Sequence, residues 1–142
     1  MIGIPVIIHP YLYFDGDCEA AIRFYAEVFS GDVAALSRYA EQPGDVPGED
    51  AERIMHATVN LGDTALMASD VPTSMTGFEA GDNVHLSTSP GDLATCERVF
   101  ASLADGGIVG MPFEQQFWGA WMGNVTDRFG VHWMISHAGD PD

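Results

Sequence analysis

Histidine is the residue type in this sequence with the most versatile chemistry near neutral pH, because imidazole can transfer protons and bind metals. In the strand predicted for residues 131–137, His132 alternates with apolar Trp133 and so faces the opposite side of the sheet. His85 stands in the same way within the strand predicted for residues 83–87. His132 and His85 are therefore candidate general acids or bases, and an equally open interpretation is that they orient a ligand or a water molecule.

Alternation along the other predicted strands also separates an apolar face from a mixed face. The apolar faces are expected to pack against helices, and the mixed faces are expected to line a cavity. The segment of residues 117–126 is apolar on both faces, and periodicity does not decide which of the two forms the ligand wall. The residues predicted to bind a ligand are His9, Tyr11, Met67, Asn83, His85, Trp118, His132 and Met134.

Nucleophilic and phosphate-binding chemistry has little support in this sequence. Cys18 and Cys96 are too few for a disulfide framework, and buried, unreactive thiols are the favoured interpretation. The alternative is a Cys18 thiol activated by the first turn of a helix. The serines lack the strand-to-helix setting of a nucleophile elbow. The glycine-rich segment of residues 106–110 follows a helix instead of preceding one, so it is not a dinucleotide-binding motif.

The candidate residues would be positioned by two runs of one element order, strand–helix–strand–strand–strand. Helices are predicted over residues 18–29 and 93–104, with Asp17 and Asp92 as N-caps. Five residues between positions 16 and 33 recur 75 positions later, which indicates an internal repeat. Strands are predicted over residues 6–14, 33–39, 53–61, 64–69, 83–87, 108–111, 117–126 and 131–137. We expect a single domain over residues 1–142, built from a first module (1–70), a linker (71–81) and a second module (82–142).

Several stretches of the chain carry a family resemblance. They are Tyr11-Leu12-x-Phe14-Asp15-Gly16-Asp17, Ile54-Met55-His56-Ala57, Leu66-Met67-x-Ser69-Asp70, Phe117-Trp118-Gly119 and Asp127-x-Phe129-Gly130-Val131-x-Trp133-Met134. With its tandem βαβββ order, the chain resembles the vicinal oxygen chelate superfamily, which includes glyoxalase I, bleomycin-resistance proteins and extradiol dioxygenases. Its sequence motifs are most similar to those of the PhnB-like branch. Arg128 is a departure, because that branch usually has proline in this turn.

The resemblance implies an α+β fold in which tandem βαβββ modules form curved mixed sheets that enclose a cavity, with each helix on the convex side. It also implies a homodimer. Glyoxalase-like members bind a divalent metal through one residue of the first strand and one of the last strand of each module. His9 matches one such position, Asn83 is taken as its counterpart, and Met67 and Met134 stand where carboxylates are usual.

A thioether does not replace a carboxylate as a ligand for hard or borderline cations, so neither a metal nor another cofactor is predicted. The alternative is a non-standard metal site built on His9 and His85, with His132 as a further ligand. PhnB-like proteins have often carried a methyltransferase label. The sequence has no Rossmann pattern or adenosyl-binding glycine motif that would support it.

The net charge of −16, from 21 acidic residues against five arginines, argues against nucleic acid as a partner. It favours a cationic ligand, or is simply a solvated acidic surface. No apolar run is long enough to span a membrane, and the first residues lack the features of a signal peptide, so a cytoplasmic protein is expected.

The function predicted from these observations is metal-free binding of a small organic ligand, with a cationic ligand favoured, as in the sequestering antibiotic-resistance proteins of the superfamily. The alternative is a lyase, isomerase or dioxygenase of the glyoxalase type that uses a metal or His132. Bound metal would favour the enzyme, whereas tight binding without reaction would favour the binding protein.

Overall fold

Two compact units divide the chain, the first ending at Phe78 and the second beginning at Glu79. The structure is a computed structural model and describes residues 3–139. Each unit contains one α-helix and one mixed four-stranded sheet, which is an α+β architecture. The unit boundary falls within the predicted linker of residues 71–81, and the prediction of a single domain remains a prediction.

Unit 1 has the sheet order β1-β4-β3-β2. Strands β1 and β4 are parallel, and the other neighbouring pairs are antiparallel. A short 3-10 turn, Tyr39–Glu41, follows β2. The elements are β1 (Tyr11–Phe14), α1 (Cys18–Phe29), β2 (Asp32–Arg38), β3 (Ile54–Leu61) and β4 (Thr64–Asp70).

Unit 2 repeats this topology with the order β5-β8-β7-β6, and its parallel pair is β5 with β8. The elements are β5 (Leu86–Thr88), α2 (Leu93–Ala104), β6 (Ile108–Gln115), β7 (Trp121–Thr126) and β8 (His132–His137). Both α-helices have the predicted bounds. Within residues 3–139, no helix has the length and apolar character needed to cross a membrane.

The core of each unit lies between its helix and one face of its sheet. The apolar residues of both helices recur at the three- and four-residue spacing that places them on one side. Gly123 of β7 lets the sheet approach α2 closely, because a Cβ there would lie 2.8 Å from the Phe100 ring. The buried residues of α1 and its sheet include Ala21, Ile22, Tyr25, Val28, Ala57, Val59, Leu66 and Ala68, and those of unit 2 include Cys96, Val99, Leu103, Val125, Trp133 and Ile135.

Two buried aspartates organise the connections around these cores. The Asp70 carboxylate accepts hydrogen bonds from the backbone N–H groups of Gly16 (2.8 Å), Cys18 (3.0 Å) and Ile54 (2.8 Å). Asp70 therefore satisfies the first turn of α1, whereas Asp17 occupies the N-cap position without a capping bond from its side chain. The predicted N-cap of α2 is confirmed, since Asp92 accepts a hydrogen bond from the Thr95 N–H at 2.9 Å.

Asp127 has the corresponding role in the turn between β7 and β8. Its Oδ1 accepts hydrogen bonds from the N–H groups of Phe129 (2.8 Å) and Val131 (3.1 Å). Its Oδ2 accepts one from Nε1 of Trp133 at 2.9 Å. The turn and the buried indole are thus held by one carboxylate, which explains why this short turn lies beside a large aromatic residue.

Four predicted strands differ from the observed ones by three or more residues at one end, and other strand ends differ by one residue. The first strand begins at Tyr11 instead of residue 6, and residues 3–10, which include two prolines without an N–H to donate, are irregular. The strand predicted from residue 83 begins at Leu86, and β6 continues to Gln115 beyond its predicted end at residue 111. The strand predicted from residue 117 begins at Trp121, because residues 116–120 form the tip of the β6–β7 hairpin.

Candidate functional site

The face of the unit 2 sheet that does not pack on α2 carries both candidate catalytic histidines, His85 and His132, together with Met134. Trp133 and Ile135 of β8 are buried in the core, as the alternation predicts, whereas His132, Met134 and Ser136 are partly exposed on the other side. We call this side the helix-free face of unit 2. It is defined by His85, Ser87, Met111, Met122, Asn124, Thr126, His132, Met134 and Ser136.

The imidazole rings of His85 and His132 stack on this face, with centroids 4.9 Å apart and planes inclined by 20°. Nε2 of His132 lies 2.9 Å from the Gly81 carbonyl oxygen, which can only accept, so Nε2 carries a proton and donates it. Nδ1 of His132 lies 2.8 Å from the Thr126 hydroxyl, which donates to it when the ring is neutral. Both ring nitrogens of His132 are therefore engaged, and its orientation is fixed.

His85 is less constrained than His132. It is exposed, and its Nε2 donates to the Asp82 carbonyl oxygen at 3.2 Å. Among the described residues no group is hydrogen-bonded to its Nδ1. As a proton acceptor for a ligand, His85 is consequently better placed than His132, which would have to give up an existing hydrogen bond.

Asn124 lies at the middle of the same face, on β7. The strand register places Met111 of β6 and Met134 of β8 directly beside it, and Met122 precedes it by two residues. Within residues 3–139, its Oδ1 is the buried side-chain polar atom that has no hydrogen-bond partner. Such orphan acceptors are rare in folded proteins and call for an explanation.

Unit 1 has its own face without a helix, and this face carries a polar network. The Tyr11 hydroxyl lies 3.1 Å from Nδ1 of His56, and Nε2 of His56 lies 3.1 Å from the Thr58 hydroxyl. Met67 pairs with Tyr11 on one side and with Thr58 on the other. The Tyr11 ring also lies 5.2 Å from the Tyr13 ring, which makes this face largely aromatic.

The structure brings some of the predicted ligand-binding residues together and separates others. His85, His132 and Met134 share the helix-free face of unit 2, and Tyr11 and Met67 share the corresponding face of unit 1. His9 and Asn83 lie in exposed, irregular segments that precede β1 and β5. Trp118 lies at the exposed tip of the β6–β7 hairpin, where its ring and the Phe117 ring are nearly perpendicular with centroids 4.8 Å apart.

The pairing of His9 with Asn83 across the two modules is wrong. Tyr11 pairs with Met67 in unit 1, and Ser87 pairs with Met134 in unit 2, so Tyr11 and Ser87 occupy equivalent positions. His9 lies two residues before Tyr11, and His85 lies two residues before Ser87. The counterpart of His9 is therefore His85. The strand copies are thus 76 residues apart, while the helix copies are 75 apart, and a single offset misaligns one or the other.

Sequence reasoning missed His56 and Asn124 as site residues. A register shift at the end of the β2–β3 ladder interrupts the alternation in β3, so that Ile54 and Ala57 are both buried. That irregularity hides the position of His56 from a simple two-residue period. Asn124 could have been found, because a polar residue between the small Gly123 and apolar Val125 alternates as a face residue should.

The divalent metal implied by the superfamily does not fit these residues. Met67 and Met134 present thioethers where carboxylates are needed, and thioethers are poor ligands for zinc, magnesium or manganese. No group of three or more His, Cys, Asp or Glu side chains in residues 3–139 is arranged to hold a metal ion.

The two thiols are also unsuited to nucleophilic chemistry. Cys18 and Cys96 are both free and buried, as expected from the sequence. Burial, and then the negative charge of Asp70, raise the pKa of the Cys18 thiol to about 12. Burial likewise raises the pKa of Cys96. Neither thiol forms the thiolate that a nucleophile requires near neutral pH.

Comparison with known proteins gives relatives that match this chain over most of its length. Residues 7–136 match the protein family described as 3-demethylubiquinone-9 3-methyltransferase. The chain is similar to PA1353 from Pseudomonas aeruginosa, with 37% identity and a TM-score of 0.86 over 96% of this chain and 100% of that one. It is also similar to a putative 3-demethylubiquinone-9 3-methyltransferase, PhnB protein, from Bacillus cereus (27% identity, TM-score 0.77, 91% and 97% coverage). A glyoxylase/bleomycin resistance protein/dioxygenase domain from Frankia sp. EAN1pec shares the fold at 16% identity and a TM-score of 0.66, over 96% and 99% of the two chains.

Proposed function

The chain belongs to the PhnB-like family described as 3-demethylubiquinone-9 3-methyltransferase and has the glyoxalase/bleomycin-resistance fold, and on that premise we propose that it binds a small organic molecule on the helix-free face of unit 2. The observation that carries this proposal is the stacked pair of His85 and His132. One ring is locked in place by two hydrogen bonds, and the other is exposed with an available acceptor nitrogen.

This pair offers a ligand the flat, exposed ring of His85, which is stacked on the fixed ring of His132. Aromatic groups stack favourably on such surfaces, with ring centroids about 4.5–7 Å apart. Nδ1 of His85 can accept a hydrogen bond from a ligand, and the neighbouring Met134 supplies an adaptable apolar contact. Because little has to be ordered when the ligand binds, the entropic cost of binding is reduced.

Binding without reaction is the role that this arrangement supports best. Of the two candidate general bases, His132 has both ring nitrogens engaged. The Nδ1 of His85 is available, but no side-chain hydrogen bond among the described residues orients that ring towards a reacting group. The family's name does not supply a mechanism of methyl transfer either. Each unit is a βαβββ module, not the doubly wound parallel sheet in which nucleotide cofactors bind at glycine-rich turns.

The ligand that we propose carries a positive charge. The chain has a net charge of −16, which raises the local concentration of cations and disfavours anions. An aromatic cation would stack on the imidazole rings and would also be attracted by the net negative charge of the chain. The electrostatic contribution should weaken as salt is added, because exposed charges are screened over about 8–10 Å at physiological ionic strength.

We also propose that the protein forms a homodimer. Residues 3–9 are exposed and contain no charged side chain in an otherwise acidic chain. A contiguous apolar segment of this kind is usually covered by a partner surface, and a second copy meets no local charge repulsion there. The exposed apolar side chains of this segment are Ile4, Val6, Ile7 and Ile8.

A nuclear magnetic resonance titration tests the proposed function. The probe is benzyltrimethylammonium, an aromatic cation. Benzyl alcohol, which is aromatic, soluble and neutral, serves for comparison. The cation should shift amide resonances of β5 and β8, and His85→Ala should abolish these shifts. His137→Ala is the matched control, because His137 lies at the end of β8 on the side opposite to His132 and Ser136. Shifts that persist unchanged in His85→Ala would overturn the proposal.

A further inference from the structure

The orphan oxygen of Asn124 lies on the proposed ligand-binding face but has no partner there. Asn124 pairs with Met111 on β6 and with Met134 on β8, and its own strand continues to Met122 two residues before it. Its Oδ1 is buried and makes no hydrogen bond among the described residues. A buried amide oxygen without a partner costs folding free energy that an apolar side chain of the same shape would not cost.

The residues that flank Asn124 on this face are mostly flexible and apolar. Three of the four residues nearest to Asn124 on this face are methionines, and they are partly exposed. Methionine has three rotatable bonds and a polarizable sulfur, so it changes shape at little cost. Methionines thus flank Asn124 in the strand register on both sides, and their flexible side chains can adjust to an incoming group.

We propose that Asn124 is a specificity-determining residue whose Oδ1 receives an N–H or O–H donor from the ligand when the methionines part. This inference rests on the proposed function and deepens it, because it specifies the ligand class as a compact apolar or aromatic body with one hydrogen-bond donor. The apolar body contacts Met111, Met122 and Met134, and the donor reaches the amide oxygen. A site built in this way favours ligands that carry the donor, since the buried acceptor then gains a partner that it lacks in the free protein.

The alternative is that Asn124 is a structural residue with no role in recognition. The two interpretations differ in what happens when the amide is removed. Asn124→Leu keeps the approximate shape but removes the orphan oxygen, so it should raise the urea midpoint of unfolding if the oxygen has no partner in the free protein. Thr126→Val is the matched control for unfolding and should lower the midpoint, because the Thr126 hydroxyl is bonded to His132 at 2.8 Å.

The experiment uses the full chain with labelled methionine methyl groups and two probes of the same shape. Indole has a ring N–H, and 1-methylindole has none. Both should shift the methyl resonances of Met111, Met122 and Met134, and the exposed Met75 serves as the reference methyl. The expected result is about fivefold tighter binding of indole, a ratio that falls to about one in Asn124→Leu.

Each other outcome overturns the inference. Equal affinity of both probes for the unaltered protein would show that the donor is not recognised, while the proposed binding function would stand. If neither indole shifts the methyl resonances while benzyltrimethylammonium does, the N–H donor is again not recognised and the proposed binding function again stands. A fall in the urea midpoint of Asn124→Leu equal to that of Thr126→Val would show that the Asn124 oxygen is already satisfied.

Discussion

Adjacent residues of β8 should differ sharply in what they contribute to stability, because Trp133 points into the core and His132 to the helix-free face. Trp133 is 3% exposed and donates its indole N–H to Asp127. Truncating a buried tryptophan to alanine costs about 3–5 kcal/mol through lost contacts and the cavity that remains. Removing the donor from a buried carboxylate adds about 1–3 kcal/mol, so we expect about 4–8 kcal/mol in total for Trp133→Ala.

His132→Ala should be far less costly. The ring is partly exposed and makes two hydrogen bonds, to Thr126 and to the Gly81 carbonyl. At about 1 kcal/mol for each bond, the expected loss is about 2 kcal/mol. Trp133→Phe separates the two contributions of the tryptophan, because it keeps most of the packing, loses the N–H, and should cost about 2 kcal/mol.

Urea unfolding followed by far-ultraviolet circular dichroism measures these differences without relying on tryptophan fluorescence. The slope of free energy against urea should be the same in all variants if only the native state is affected. A larger loss of stability for His132→Ala than for Trp133→Ala would refute the assignment of faces in β8. The register of the whole strand would then be displaced by one residue.

Three further predictions concern other parts of the chain. Asp70→Ala should lower the free energy of unfolding by about 3–5 kcal/mol, since three backbone donors lose their acceptor; an urea midpoint equal to that of the unaltered protein would contradict this. Stability should fall as the pH rises from about 9 towards 12, because Cys18 ionises near its ordinary pKa of 9.0 in the unfolded chain, whereas the folded thiol has a pKa of about 12 and keeps its proton. Cys18→Ala should reduce this loss of stability. A pH profile of Cys18→Ala identical to that of the unaltered protein would refute the assigned cause. Light scattering should give twice the 15.3 kDa chain mass, and Ile7→Asp with Ile8→Asp should give the monomer; a dimer that survives both changes would not depend on residues 3–9.

Secondary-structure elements could be predicted accurately from the sequence wherever a single physical signal determines them. Both α-helices could be predicted to the residue, because an apolar stripe with helical spacing lies between turn residues. Strand starts were less predictable. The run of apolar residues from 4 to 8 is typical of a strand, yet it has no strand partner among the described residues and stays irregular. Phe117 and Trp118 also have high strand propensity, but the hairpin closes around them with Gly119 at φ +97°.

The candidate site was predictable in part for the same reason. Alternation in β8 correctly separates Trp133 from His132. The stacking of His85 on His132 could not be predicted, because it depends on the parallel register of β5 with β8 and on carbonyl groups of residues 81 and 82. The orphan state of Asn124 is likewise a property of packing, since sequence shows an amide but not whether a partner reaches it.

A crystal structure of the protein soaked with benzyltrimethylammonium tests the central claim most directly. The account predicts density for the probe against the exposed side of the His85 ring, with its aromatic group near Met134. Density at any other surface, with the His85 and His132 pair unoccupied at saturating probe, would contradict the claim that the helix-free face of unit 2 is the ligand-binding site.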